Sequence, residues 1–140
     1  MPDAEPSGEP RMSRAREGVA RWHKYMADGK GADGLMALLA EDAVFHSPVV
    51  HTPQVGRAKT FAYLDAASRV LGAQRDFTYV REIIDGDCAM LEFTLTLDGI
   101  FINGVDIIRW NEAGEISDFK VMIRPLKAVN KIWEGMAAML

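Results

Sequence analysis

The sequence has little of several features that would each define a class of protein. Cys88 is the one cysteine among 140 residues, so no intramolecular disulfide and no thiolate metal cluster can form. No apolar run approaches the roughly 20 residues that span a bilayer, and residues 1–11 lack the apolar core of a signal peptide. The net charge of −4 provides no basic field for nucleic acid or an anionic membrane. We therefore expect a cytoplasmic protein with neither of these partners.

What is present favours a single folded domain. Hydrophobic residues make up 49 % of the chain, which is enough for one core at this length. Residues 1–11 contain three of the six prolines and are predicted to be a disordered tail, whereas residues 12–140 are predicted to form the domain.

Hydrophobic spacing places helices mainly in the first half of the domain. Apolar residues recur at three- and four-residue intervals in three predicted helices and in a C-terminal one, and a short strand precedes Pro48. In chain order these elements are the helices Met12–Asp28 and Asp33–Ala40, the strand Ala43–Ser47, the helix Phe61–Leu71 and the helix 126–140.

The second half alternates at the period of a strand. Turn signals at Asp85-Gly86, Asp98-Gly99 and Ala113-Gly114 separate four long segments, which predicts an antiparallel meander. The predicted fold class is therefore α+β, with helices packed on one face of a curved antiparallel sheet. The four strands are Asp76–Ile84, Cys88–Leu97, Ile100–Trp110 and Ile116–Arg124.

Asp106 is a carboxylate in the middle of an apolar, β-branched strand. Because an ionised carboxylate in a dry interior is expensive, Asp106 must find partners, stay protonated or face a cavity. Each outcome makes a functional site more probable than for an ordinary Asp, although a paired structural Asp fits as well. The strand therefore predicts a pocket.

Two segments resemble the SnoaL-like branch of the nuclear-transport-factor-2-like superfamily. They are LLAEDAVFHSPV at 38–49 and GVDIIRWNEAGEI at 104–116, within a resemblance that covers about residues 12–124. The resemblance implies a cystatin-like cone of curved sheet wrapped by helices, an interior pocket and a homodimer. Because the superfamily holds isomerases, cyclases, hydrolases and members without a known reaction, it leaves the function open.

Comparison with the ketosteroid isomerases of this superfamily places three positions. Their oxyanion-hole Asp falls on Asp106, their general-base Asp on Ser47, and their hydrogen-bonding Tyr on His23. Because Ser47 cannot act as that base, the resemblance argues against steroid isomerisation by their mechanism.

His23 lies on the apolar stripe of the first predicted helix. We predict that it pairs with Asp106, which would raise imidazole basicity and make the two residues a catalytic pair. A core histidine satisfied by one hydrogen bond is the alternative. A helix rotation of one residue would exchange His23 for Trp22, which is also a candidate for substrate binding.

Further candidates for substrate binding come from the strands. Glu92 and Asp106 share one cavity if the resemblance holds, whereas alternation alone favours a solvated Glu92. Arg124 is either a surface charge or balances those carboxylates. The apolar face of the last strand is predicted to line the cone through Phe119, Val121 and Ile123.

His46 and Ser47 are predicted to position substrate. His46 and His51 could join Asp106 or Glu92 at a metal, but the tight spacing of a strong metal motif is missing. Ser47 lacks the glycines of a nucleophile elbow, which argues against a serine hydrolase. We expect neither a metal nor another cofactor.

Three functions remain open. The chain is a cofactor-free acid–base enzyme on a small apolar molecule (an isomerase, cyclase or dehydratase), a ligand-binding protein without chemistry, or a dimerisation module. A homodimer is expected in each case, because residues such as Met122 and Ile107 make the late strands apolar on both faces.

Overall fold

The computed structural model describes residues 4–29 and 31–140, with side chains from residue 14 onward. No helix in this part of the chain is both long and apolar enough to cross a membrane. The elements follow in the order α1 (Ala4–Ala27), α2 (Ala32–Leu38), β1 (Leu39–His46), β2 (Gln54–Val55), α3 (Arg57–Ala67), a π-helical turn (Ser68–Gly72), β3 (Thr78–Asp85), β4 (Cys88–Leu97), β5 (Ile100–Trp110), β6 (Ile116–Arg124) and α4 (Leu126–Ala137).

The N-terminal segment differs from its prediction. A disordered tail was predicted for residues 1–11, whereas α1 already begins at Ala4. Pro6 lies in the first turn of this helix, where a missing amide hydrogen breaks no helical bond, so the proline is compatible with helix. Residues 1–3 lie outside the described part of the chain.

The four long strands confirm the predicted meander. The bounds of β4, β5 and β6 are those predicted, and β3 begins two residues later and ends one residue later than predicted. Asp98 and Gly99 have φ values of 49° and 80°, the left-handed conformation that a two-residue hairpin turn requires. Leu97 therefore pairs with Ile100, and this register continues along both strands.

The sheet has six strands in the order β2-β1-β6-β5-β4-β3, and it is curved and unclosed. β1 begins at Leu39 rather than at the predicted Ala43 and runs parallel to β6. The sheet is therefore mixed and not wholly antiparallel as predicted. Such parallel pairing joins strands far apart in sequence, which local turn signals do not reveal.

The two faces of the sheet differ in what covers them. The inner face packs against the helices and carries the buried side chains Leu91, Phe93 and Phe119. The helix α1 approaches it closely, since a Cβ at Gly18 would lie 2.1 Å from the ring of Trp110. The outer face carries Glu92 and the exposed Met90 and Met122, and no helix of the described residues covers these three.

Candidate functional site

An interior cavity lies between the inner face of the sheet and the helices. Its volume is about 40 Å³, and its lining is apolar except for Trp22, Ser68, Tyr79 and Asp106. The helical wall comes from α1, α3 and the π-helical turn, and the sheet wall comes from β3 to β6. The remaining lining residues are Met26, Leu64, Ala67, Leu71, Gly72, Phe77, Phe93, Phe119 and Val121.

Asp106 is the acidic group of this cavity. It pairs in register with Leu91 on one side and Val121 on the other, so its side chain points with theirs to the inner face. Only 6 % of its surface is exposed. Burial raises the pKa of Asp106 from 3.8 to about 7, and a hydrogen bond from Tyr79 offsets part of that rise. The predicted pocket carboxyl is thus present, and near neutral pH it is partly protonated.

A short chain of hydrogen bonds holds the carboxyl. Trp22 Nε1 donates to Tyr79 Oη at 2.9 Å, and Tyr79 Oη donates to Asp106 Oδ2 at 2.8 Å. Burial and the nearby Asp106 charge raise the pKa of Tyr79 well above its usual value, so the phenol keeps its proton. Within the described residues, Oδ1 of Asp106 has no hydrogen-bond partner, so one carboxyl oxygen is available to a ligand.

Tyr79 is the site residue that sequence reasoning missed. It sits on β3 opposite Phe93, and its ring lies edge-on to Phe77 with the centroids 5.1 Å apart. These aromatic neighbours aim the hydroxyl at Asp106. The available signal was a tyrosine in the predicted strand Asp76–Ile84, but its phase depends on a bulge in β3 between Tyr79 and Arg81.

The predicted pairing of His23 with Asp106 is wrong. His23 Nε2 is hydrogen-bonded to Glu82 Oε2 of β3, and 39 % of its side chain is exposed. The helix α1 is turned by one residue from the predicted phase, so that Trp22 faces the cavity instead. His23 stands beside the site, with its ring 5.4 Å from the ring of Tyr79.

Glu92 does not share the cavity with Asp106, and that prediction is also wrong. It lies on the outer face, where Arg81 Nε is 3.0 Å from Glu92 Oε1 and Asn103 Nδ2 donates to Oε2 at 3.1 Å. The two-residue turn at Asp98-Gly99 pairs Glu92 with Val105 and not with Asp106. Counting back from that turn in the sequence would have predicted the correct face.

His46 and Ser47 lie apart from the interior cavity, in an open groove of about 500 Å³ beside β6. His46 Nε2 is hydrogen-bonded to Asp118 Oδ1 at 2.9 Å. Ser47 Oγ accepts hydrogen bonds from the amides of Val49 and Val50, so this hydroxyl closes a turn. Neither side chain reaches Asp106, and a role for them in positioning substrate at that carboxyl is not supported.

The last strand contributes two of its three predicted cavity residues. Phe119 and Val121 line the interior cavity, whereas Ile123 is partly buried near the end of the sheet and does not line it. Arg124 is exposed and donates to Asn103 Oδ1 at 3.3 Å, in agreement with its reading as a surface charge. Within residues 4–29 and 31–140, no three His, Cys, Asp or Glu side chains are grouped to hold a metal ion.

The fold and the buried carboxyl together define a nuclear-transport-factor-2-like protein of the ketosteroid-isomerase-like type. Residues 19–119 match the model of the SnoaL-like domain, and the chain belongs to that family.

Solved structures agree with this assignment. A steroid delta-isomerase from Pseudomonas aeruginosa is 34 % identical, with a TM-score of 0.81 over 89 % of this chain and 90 % of the other. An uncharacterised protein with a cystatin-like fold from Silicibacter pomeroyi is also 34 % identical, with a TM-score of 0.77 over 86 % and 83 %. A protein of unknown function from Mesorhizobium loti shares the fold at 20 % identity, with a TM-score of 0.68 over 82 % and 94 %. No curated protein matches the chain.

Proposed function

We propose that this protein binds a small, largely apolar molecule in the interior cavity and holds one oxygen of that molecule at Asp106. The observation that carries the proposal is the state of the Asp106 carboxyl. It is buried, its pKa is raised to about 7, and its Oδ1 has no partner within the described residues. A neutral carboxyl in an apolar cavity is a strong hydrogen-bond donor to a ligand oxygen.

The small volume of the cavity determines how a ligand can bind. At about 40 Å³ it accommodates one small group, so a ring-sized ligand must displace side chains. Met26 and Phe77 are among the lining residues that are partly exposed. The unbranched Met26 side chain adapts to such changes at low cost. Binding is therefore expected to be coupled to movement of these two side chains.

The test uses cyclohexanone, a small apolar ring with one acceptor oxygen. The proposal predicts that the affinity of the protein for cyclohexanone falls about tenfold for each pH unit above the Asp106 pKa of about 7, because only the protonated carboxyl donates a hydrogen bond. Asp106→Asn keeps a donor at every pH and removes this dependence, whereas Asp106→Ala removes binding. Calorimetric titration measures each affinity, and Glu92→Gln, a carboxyl change on the outer face, is the matched control. An affinity for cyclohexanone that is the same in Asp106→Ala as in the wild type contradicts the proposal.

Catalysis is the second candidate function, as a cofactor-free isomerase, cyclase or dehydratase. A pKa of about 7 favours it, because such a group both gives and takes protons at neutral pH. The 34 % identity to a steroid delta-isomerase supports the same class of chemistry. The missing base argues against that enzyme's expected mechanism, since Ser47 lies outside the interior cavity. Asp106 itself would have to move the proton.

Conversion of 3-cyclohexenone to its conjugated isomer tests the catalytic candidate. The reaction moves one proton from the carbon between the carbonyl and the double bond to the far end of that double bond, and ultraviolet absorbance follows it. An enzyme accelerates this reaction and loses the acceleration in Asp106→Asn. Equal rates in the wild type and in Asp106→Asn leave ligand binding as the function.

A homodimer through the outer face completes the proposal, in the cytoplasmic location expected from the sequence. Ile83 and Met122 are 53 % and 52 % exposed, and with Met90, Val105 and Ile107 they form a largely apolar patch across β3 to β6 that surrounds the Arg81–Glu92 ion pair. Patches of this kind mark interaction sites. Light scattering at micromolar concentration is expected to give a dimer for the wild type.

A variant pair locates that interface. Met122→Lys, which places a charge in the patch, is expected to give a monomer. Val55→Lys, at an exposed apolar residue of β2, is the matched control. A monomeric wild type contradicts the dimer.

A further inference from the structure

The helical wall of the interior cavity carries a hydroxyl that the proposed binding mode does not use. Ser68 is the first residue of the π-helical turn, and it lines the cavity together with Leu71 and Gly72 of the same turn. Its Oγ donates to the carbonyl of Asp65 at 3.1 Å, which leaves its lone pairs free to accept. A π-helical turn in a helix wall is a frequent feature of functional sites.

Tyr25 lies near Ser68 and has a hydroxyl without a hydrogen-bond partner among the described residues. The residue is 7 % exposed, and its Oη is buried without a hydrogen-bond partner in the described part of the chain. Burial raises the pKa of Tyr25, with the Ser68 side chain partly offsetting the rise, so the phenol stays protonated and can donate. Buried polar groups in folded proteins are nearly always paired, so an unpaired one requires an explanation.

Two neighbouring polar groups bond elsewhere. Trp22, whose ring centroid lies 5.2 Å from that of Tyr25, donates its Nε1 hydrogen to Tyr79. The carboxylate of Asp65 accepts from Arg69 Nε at 3.1 Å. The Ser68 side chain lies near enough to Tyr25 to lower the pKa of its phenol, and Ser68 also lines the cavity.

We propose that Ser68, supported by Tyr25, forms a second polar subsite of the interior cavity and binds a hydroxyl group of the ligand. The inference rests on the proposed function, in which Asp106 holds the first oxygen. Asp106 belongs to the sheet wall and Ser68 to the helical wall, so the ligand carries two oxygen groups that reach opposite walls. A hydroxyl suits this subsite because it can donate to Ser68 Oγ, whose lone pairs are free to accept. The ligand class is therefore a small apolar molecule with a carbonyl and a hydroxyl group.

Two probes that differ by one hydroxyl test the subsite. Cyclohexanone reports on Asp106 alone, and 4-hydroxycyclohexanone adds a hydroxyl across the ring. In the wild-type protein the hydroxyl is expected to increase affinity about five- to tenfold, the usual effect of one added hydrogen bond in a buried site. In Ser68→Ala this ratio is expected to fall to about one. Tyr25→Phe is expected to reduce the ratio in the same direction.

The controls separate this inference from the proposed function and from misfolding. Ser117→Ala removes a hydroxyl that also donates to a backbone carbonyl, that of Arg109, but lies outside the cavity, and it is expected to leave the ratio unchanged. Thermal unfolding checks that each variant is folded, and Tyr25→Phe keeps the shape of the core if Ser68→Ala disturbs the turn. A hydroxyl preference that survives Ser68→Ala and Tyr25→Phe, or no preference in a wild type that binds cyclohexanone, overturns the subsite alone. A wild type that binds neither ketone contradicts the proposed function and the subsite with it.

Discussion

Replacing Asp106 by Asn is expected to stabilise the protein at alkaline pH and to have little effect below the ordinary carboxyl pKa of 3.8. Asn has nearly the same shape as Asp, and its amide oxygen can still accept the hydrogen bond that Tyr79 donates at 2.8 Å. The substitution removes only the ability of the side chain at position 106 to ionise. The change in stability therefore isolates the free energy of placing a charge in the interior cavity.

The size of the effect follows from the pKa of Asp106. Burial raises it from 3.8 to about 7, so the folded protein binds a proton that the unfolded chain has already released between those pH values. Stability contributed by the protonated carboxyl is full below the unfolded pKa and is lost as pH rises through the folded pKa. The complete loss amounts to about 4 kcal/mol above pH 7. Some relaxation around the charge is expected, so Asp106→Asn should gain about 2–4 kcal/mol at alkaline pH.

Urea unfolding followed by tryptophan fluorescence measures this gain. With a slope of about 2 kcal/mol per molar urea, the unfolding midpoint of Asp106→Asn should exceed that of the wild type by about 1–2 M at about pH 8.5. The two midpoints should approach each other as the pH falls and coincide below the unfolded pKa of 3.8. Other titrating groups act equally on both proteins, so they cancel from the difference. Glu92→Gln on the outer face should show no such dependence.

A difference between the wild type and Asp106→Asn that stays constant over this pH range would refute the reasoning. It would mean that Asp106 titrates near its ordinary pKa, and hence that the cavity admits enough water to solvate the charge. If the two urea midpoints instead agreed at high pH and differed at low pH, the pKa of Asp106 would be lowered by folding, which would require a cationic partner. The described lining of the cavity contains none.

Two further substitutions test the packing around the carboxyl. Tyr79→Phe leaves Trp22 Nε1 without an acceptor and removes the bond that lowers the carboxyl pKa, so it should destabilise the protein by about 1–3 kcal/mol and move the pH midpoint of its stability upward. Unfolding in urea over the same pH range measures both effects. Gly104→Ala places a Cβ 2.4 Å from the Phe93 ring and should cost about 1–3 kcal/mol, measured in the same way, whereas Gly31→Ala meets nothing within 4 Å and should cost little.

Local signals were sufficient for the meander. The Asp98-Gly99 turn and the alternation on either side of it predicted β4 and β5 with their observed bounds. Two features depended on contacts that local patterns do not contain. One is the parallel pairing of β1 with β6, and the other is the start of α1 at Ala4, where proline content suggested disorder. The pairing of β1 with β6 is decided by the packing of the whole domain.

The site was predicted in part, for reasons that particular residues make clear. Asp106 could be identified as a pocket carboxyl, because a carboxyl on a buried strand has few alternatives. The partner of Asp106 could not be identified, because the spacing of apolar residues leaves the phase of α1 uncertain by one residue. A shift of one residue exchanges His23 for Trp22. The bulge beside Tyr79 adds a similar uncertainty in β3. Glu92 is different, because the turn register would have placed it on the outer face.

A purely structural role explains Asp106 poorly. An asparagine would keep the hydrogen bond from Tyr79, and a leucine would pack with Leu91 and Val121, without a charge to bury. The carboxyl instead lowers stability by about 4 kcal/mol once it ionises. A ligand that binds the protonated form offsets this loss, since a ligand at about 100 times its Kd contributes about 2.7 kcal/mol. The free energy lost when Asp106 ionises is therefore comparable in size to the free energy that a bound ligand contributes, which favours a binding role for the carboxyl over a structural one.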